Sequence, residues 1–253
     1  MTELPVLWQY SFSNFNEKAR WALDFKGIAH RRRSIAPGAV RGFWLSRGDG
    51  TLPTMDLDGE RIVDSTAIIA ALEQLRPDPP LYPADPEERR RALELEDFFD
   101  EHAGHDMRRV GFWELRDNLD FGLRFMTTDQ PKVRAAIVRT RLRVAFPFVW
   151  RYMNGRYDFT EESVERSRGV LAAALDRIES ERDGREFLVG EGFTVADLTA
   201  ASLLYPLAWP PEFPYRLPPD PPEWGFMEPL RDHPGVGWIR ETWRRHRGAS
   251  AAV

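Results

Sequence analysis

Residues 4–10, LPVLWQY, form a short apolar run rich in strand formers, the pattern of a buried strand. From Asn14 to Phe25 the apolar positions Phe15, Ala19, Trp21, Ala22, Leu23 and Phe25 fit one broad helical face, and Gly27 stops the helix. IAHRRRSIA resumes as a strand with a basic patch, and 36–50, with five Pro and Gly residues, reads as a loop with room for a short irregular helix. LPTMDLDGERIVDS predicts a hairpin, with strands near 52–57 and 60–63 and Asp58-Gly59 at the turn. A helix follows in STAIIAALEQLR, with Ile68, Ile69, Leu72 and Leu75 along one side. This βαβ…ββα order predicts a small α/β domain with a mixed sheet over residues 1–76.

Five prolines fall between Pro77 and Pro86, which marks 77–86 as a linker. From 87 to 253 the pattern is helical: 87–125, 130–154, 161–182, 194–208 and a last helix near 233–247. Asn154-Gly155 and Asp183-Gly184 punctuate these helices. Thr194 and Asp197 stand at the N-cap and N3 positions of a capping box, with Phe193 and Leu198 placed for a hydrophobic staple. The fold class predicted is therefore α/β followed by all-α. The Pro-rich loop 209–222 and the residues just after it keep Trp209, Phe213, Tyr215 and Trp224, which predicts that it packs.

A 42% hydrophobic and 30% charged composition is that of a soluble globular protein. No run reaches the roughly 18 apolar residues of a membrane helix. The N-terminal MTELPVLWQY lacks the basic start of a secretory signal, which predicts a cytoplasmic protein. The chain has no cysteine, so disulfides, thiolate metal sites and a protein thiol nucleophile are excluded. A net charge of -5 offers nucleic acid no general attraction, and HRRRS and RRHRG read as solvated edges.

Candidate chemistry gathers at strand-to-helix junctions. Ser13 stands where the first helix begins, either as its cap or as a hydroxyl facing a bound group, and Ser11 is a rival by alternation. Asp64-Ser65 opens the helix after the hairpin, where free N–H groups form an anion site; capping and ligand binding are compatible there. His102 and His105, at i and i+3, suggest a metal site only if a third ligand joins them, and the sequence offers no such pattern.

Three motifs in this order carry a family resemblance over nearly the whole chain. SNFNEKARWAL (13–23) is similar to the Ser/Cys-x-x-x-x-[KR]-x-R start of the first helix in serine- and cysteine-class glutathione transferases. TLPTM resembles the family's residue–cis-Pro pair before the third strand, and DSTAII its acidic-Ser pair opening the third helix.

The resemblance implies a thioredoxin-like N-terminal domain, a helical C-terminal domain and a homodimer. It implies glutathione as co-substrate, no metal, and a hydrophobic electrophile as second substrate. It places the catalytic hydroxyl at Ser13, the cysteinyl contact at Leu52 and Pro53, and the γ-glutamyl contact at Asp64 and Ser65. Met107, Arg108, Phe112 and Trp113 become candidates for the electrophile pocket. Asn14 departs from the family's common Pro, and Asn16 stands where redox relatives carry a second cysteine, which argues against thiol–disulfide exchange. A non-catalytic binding module, a glutathione-dependent isomerase or dehalogenase, and the use of another small thiol remain as alternatives.

Overall fold

The computed structural model describes residues 3–36, 44–46, 51–218 and 228–253. Four short strands, β1 (Val6–Gln9), β2 (Arg31–Ser34), β3 (Thr54–Leu57) and β4 (Glu60–Val63), make one sheet in the order β2-β1-β3-β4. β1 and β2 are parallel, joined across helix α1 (Asn14–Phe25), whereas β1–β3 and β3–β4 are antiparallel. The β3–β4 turn uses Asp58 (φ 47°) and Gly59 (φ 86°), the paired positive φ values of a tight hairpin turn. Helix α2 (Ser65–Leu75) then packs beside α1. The α/β domain expected from the sequence is thus present. Residues 36–50, read as a loop, lie largely outside the described residues, as does Trp224.

The segment 77–85 has no regular structure but is packed. Leu81 is buried, its carbonyl accepts from Val195 N–H at 2.8 Å, and Lys26 Nζ donates to the Arg76 and Pro79 carbonyls. The helical part follows: α3 (Pro86–Phe98), a π-helical turn (Phe99–Gly104), α4 (His105–Asp117), α5 (Leu119–Phe125), α6 (Lys132–Tyr157), α7 (Glu161–Arg182), α8 (Val195–Leu203), α9 (Tyr205–Ala208) and α10 (Pro234–His246). The stretch 194–208, expected as one helix, is two, because Pro206 has no N–H to continue the ladder. The Thr194–Asp197 capping box forms, with Asp197 Oδ2 accepting from Thr194 N–H at 2.9 Å. No helix among the described residues is long and apolar enough to cross a membrane.

α1 lies between the sheet and the helical layer. Trp21 meets Trp243 of α10 at 4.8 Å between ring centroids, and Trp243 Nε1 donates to the Ala201 carbonyl of α8. Glu17, Lys18, Arg20 and Asp24 are buried along with the apolar face of α1.

Candidate functional site

The loop from β1 to α1 is held at nearly every residue. Arg20, fully buried, donates to the Ser11 carbonyl at 3.0 Å, the Tyr10 carbonyl at 3.3 Å and Gln9 Oε1 at 2.8 Å. Tyr205 Oη donates to the Phe12 carbonyl at 2.7 Å. Asn14 Nδ2 donates to the carbonyls of Gly104 and Leu203, so the first turn of α1 seats against the end of the π-helical turn. That approach needs Gly104: a Cβ there would stand 2.7 Å from Phe15 Cζ and 3.0 Å from Leu203 Cδ1.

Ser13 is the N-cap of α1 by backbone geometry, yet its side chain makes no capping hydrogen bond. It is only partly buried. Ser11 is buried, and its hydroxyl donates to Asp129 Oδ1 at 2.9 Å. The two serines therefore differ: Ser11 is committed to a carboxylate, and Ser13 carries a hydroxyl at a helix N-terminus without capping it.

Leu52-Pro53 is a cis peptide. The Leu52 carbonyl accepts from Asn16 Nδ2 at 2.8 Å, and Asn16 Oδ1 accepts the Tyr10 N–H at 3.1 Å. The residue before Pro53 is thereby stapled to the Ser13 loop. In the sequence Asn16 stands as a residue of the strand-to-helix turn at a place where redox relatives carry a cysteine, and nothing local signals a partner 36 residues away.

At α2, Asp64 caps the helix, with Oδ1 accepting from Thr66 N–H at 2.8 Å and Ala67 N–H at 3.2 Å. Its backbone is at φ 87°, ψ 141°, a strained conformation for a non-glycine residue. Ser65 is buried and its Oγ has no hydrogen-bond partner in the protein, a costly arrangement for a hydroxyl. Thr66 Oγ1 accepts from Lys18 Nζ at 2.8 Å and donates to Asp100 Oδ2 at 2.7 Å. Buried Lys18 also meets Glu96 at 2.8 Å, binding α1, α2 and α3 together. Burial raises the Glu96 pKa despite that cation. The three sequence motifs thus meet at one end of the sheet, where β1 and β4 finish and β3 begins.

The four pocket candidates separate. Met107 is 1% exposed and belongs to the core, so it presents no wall to a ligand. Phe112 and Trp113 pack toward Phe159 and Trp150, on the α6 side. Arg108 reaches the first turn of α1, its guanidinium lying 5.8 Å from the Phe15 ring and 4.5 Å from the Tyr157 ring. His105 Nδ1 lies 2.7 Å from Arg108 Nη2, and burial and then the Arg108 cation lower its pKa. His102 rests against Phe98. Among the described residues no cluster of three or more His, Asp or Glu is arranged to hold a metal.

The family model for the N-terminal domain of glutathione S-transferases matches residues 7–80, and that for the C-terminal domain matches 161–236. A probable maleylacetoacetate isomerase of Caenorhabditis elegans is 33% identical over 91 residues, 35% of this chain and 42% of that protein. The chain thus spans less than half the length of this curated relative in the match. Among solved structures, a beta-etherase of Sphingobium sp. strain SYK-6 superposes with a TM-score of 0.69 at 18% identity, covering 96% of each chain. A glutathione S-transferase of Methylobacillus flagellatus, solved with glutathione bound, gives 0.63 at 16% identity, covering 94% of this chain and 93% of that one. With its N-terminal and C-terminal domains both matched, the chain belongs to the glutathione S-transferase superfamily.

Proposed function

We propose that this protein is a glutathione transferase that ionises the glutathione thiol at Ser13 for attack on a hydrophobic electrophile. The observation that carries the reading is the Ser13 hydroxyl, set at the N-terminus of a 12-residue helix and not used as its cap. A free thiol ionises near 8.5, and lowering that by about 2 units takes roughly 2.7 kcal/mol. One charge-assisted hydrogen bond contributes about 1.5–3 kcal/mol and a helix N-terminus about 0.3–1 kcal/mol more, which together suffice. Ser13 acts as hydrogen-bond donor to the thiolate, not as nucleophile.

In this reading the Leu52–Pro53 segment receives the cysteinyl part of glutathione. The N–H groups of α2 and the Ser65 hydroxyl receive the γ-glutamyl carboxylate, and Asp64 faces its ammonium. The unpartnered Ser65 Oγ and the strained Asp64 backbone support a ligand role beyond capping. Of the pocket candidates, Arg108 is retained beside the electrophile. The reading includes a cytoplasmic location and a homodimer. An apolar stripe on the outer side of α6 supports the dimer: Val133, Ile137, Val144, Phe148 and Tyr152 recur at helical spacing and are all exposed.

The test is calorimetry with glutathione, together with the ultraviolet absorbance of the bound thiolate, on wild type and Ser13→Ala. Binding retained with the thiolate lost supports the role of Ser13; no binding by wild type at about 10 mM, a free energy below roughly 3 kcal/mol, would sink it. A second reading, glutathione-dependent isomerisation, is favoured by the similarity to a probable maleylacetoacetate isomerase. Product analysis separates the two, since an isomer carries no glutathione and a conjugate does.

A further inference from the structure

The segment after α10 returns to α1 and is fastened there. Trp21 Nε1 donates to the His246 carbonyl, Ala251 N–H donates to Asp24 Oδ1 at 2.8 Å, and Val253 N–H donates to the His30 carbonyl at 2.9 Å. Between these anchors Arg247 turns inward, 2% exposed, with its guanidinium 5.7 Å from the Trp21 ring and 5.8 Å from the Trp243 ring. Its Nε donates to Glu17 Oε1 at 2.6 Å and its Nη1 to Asp24 Oδ2 at 2.9 Å.

Glu17 is shared. Its other oxygen, Oε2, accepts from Arg20 Nε at 2.6 Å. Arg20 is the residue whose fork donates to the Tyr10 and Ser11 carbonyls, and the Tyr10 carbonyl also accepts the Ser13 N–H at 3.2 Å. One buried carboxylate therefore fixes two guanidiniums, one from the far end of the chain and one that grips the loop carrying Ser13. We infer that Arg247 is a positioning residue for the Ser13 loop, acting through Glu17 and Arg20.

The physical reason is the stiffness of the path. Glu17, Arg20 and Arg247 are each at most 2% exposed, so water cannot replace a lost partner without rearrangement. Without Arg247, Glu17 Oε1 is buried and unpaired, and the carboxylate has reason to rotate. Arg20 then loses the contact that aims its fork at the two loop carbonyls. A brace that only secured the tail would leave the loop unchanged.

The decisive measurement is hydrogen exchange by mass spectrometry on wild type, Arg247→Met and Arg247→Lys. Met keeps much of the buried volume, and Lys keeps the charge but not the fork. The expected result is exchange about tenfold faster or more in peptides spanning 8–16 of Arg247→Met, with the β3–β4 hairpin unchanged and Lys between the two. Faster exchange confined to residues 243–253, or spread evenly over the chain, would overturn the inference. If Arg247→Met does not fold, the same comparison rests on Arg247→Lys.

The consequence for thiol ionisation rests on the proposed glutathione reading: the bound thiol of Arg247→Met should ionise about one pH unit higher. Failure of wild type to bind glutathione removes that consequence and the proposed function, while loop exchange still decides the path itself.

Discussion

Asn16 Nδ2 lies 2.8 Å from the Leu52 carbonyl, while its Oδ1 takes the Tyr10 N–H at 3.1 Å. One fully buried amide thus fixes the Ser13 loop to the residue before Pro53. Asn16→Asp keeps the acceptor and sets a carboxylate against a carbonyl; Asn16→Ala removes both bonds. Each should lower stability by about 1–3 kcal/mol in urea denaturation. Glutathione affinity should fall with it, and an unchanged affinity would confine the amide to a folding role.

Ser13 and Ser11 should separate cleanly in a paired substitution. Ser13→Ala removes no capping bond, so its stability should stay within about 0.5 kcal/mol of wild type. Ser11→Ala deprives Asp129 of a donor and should cost about 1 kcal/mol or more. Thiolate formation should follow the opposite order, lost in the first variant and kept in the second. Reversal of both orders would move the catalytic hydroxyl to Ser11.

Asp64 can be split into its two roles. Asp64→Asn keeps an acceptor for the Thr66 and Ala67 N–H groups, so stability should hold, whereas Asp64→Ala should lose about 1 kcal/mol. If the carboxylate faces the ligand ammonium, Asp64→Asn should still bind glutathione more weakly. Equal affinity would reduce Asp64 to a cap.

His30 predicts a pH dependence. Its Nδ1 lies 2.8 Å from the Ile28 carbonyl and its Nε2 accepts from Arg32 Nε at 3.0 Å, which fixes the neutral ring. Burial holds its pKa below the ordinary 6.5, outweighing the Ile28 carbonyl and Asp24, which raise it, and aided by the cations of Arg32 and Arg247. The unfolded chain therefore binds this proton first. The contribution to stability is complete above pH 6.5 and is lost as pH falls through that value toward the folded pKa. Urea titrations between pH 7.5 and 5.5 should show a slope no steeper than about 1.4 kcal/mol per pH unit from this group, removed in His30→Asn.

The α6 stripe predicts self-association. Phe148, 77% exposed and the largest apolar side chain of that stripe, is changed to Glu in the test. Wild type should sediment as a dimer and Phe148→Glu should shift toward monomer at equal concentration, because a charge would have to be buried. Monomeric wild type at tens of micromolar, where a stable interface of free energy about 8 kcal/mol would be occupied, would remove the homodimer from the reading.

Local patterns were legible in the sequence wherever a few neighbouring residues decide the outcome. The Asp58-Gly59 turn, the span of α7 from Glu161 to Arg182 and the Thr194–Asp197 box depend on residues within a turn of one another. The order of these elements determined the two-part fold, and the three motifs marked the segments that meet at one end of the sheet. Long-range packing decided the rest. Glu17, Lys18, Arg20 and Asp24 have the spacing of a solvated helix face, yet they are buried because the helical layer and the tail close over them. Asn16 finds Leu52 36 residues away, Ser11 finds Asp129 118 away, and Arg247 finds Glu17 230 away. Helical and strand periodicity encode which side of an element is apolar; they do not encode which distant polar group will meet its other side. The identity of those partners fixes which serine stays available, and tertiary packing alone chose them.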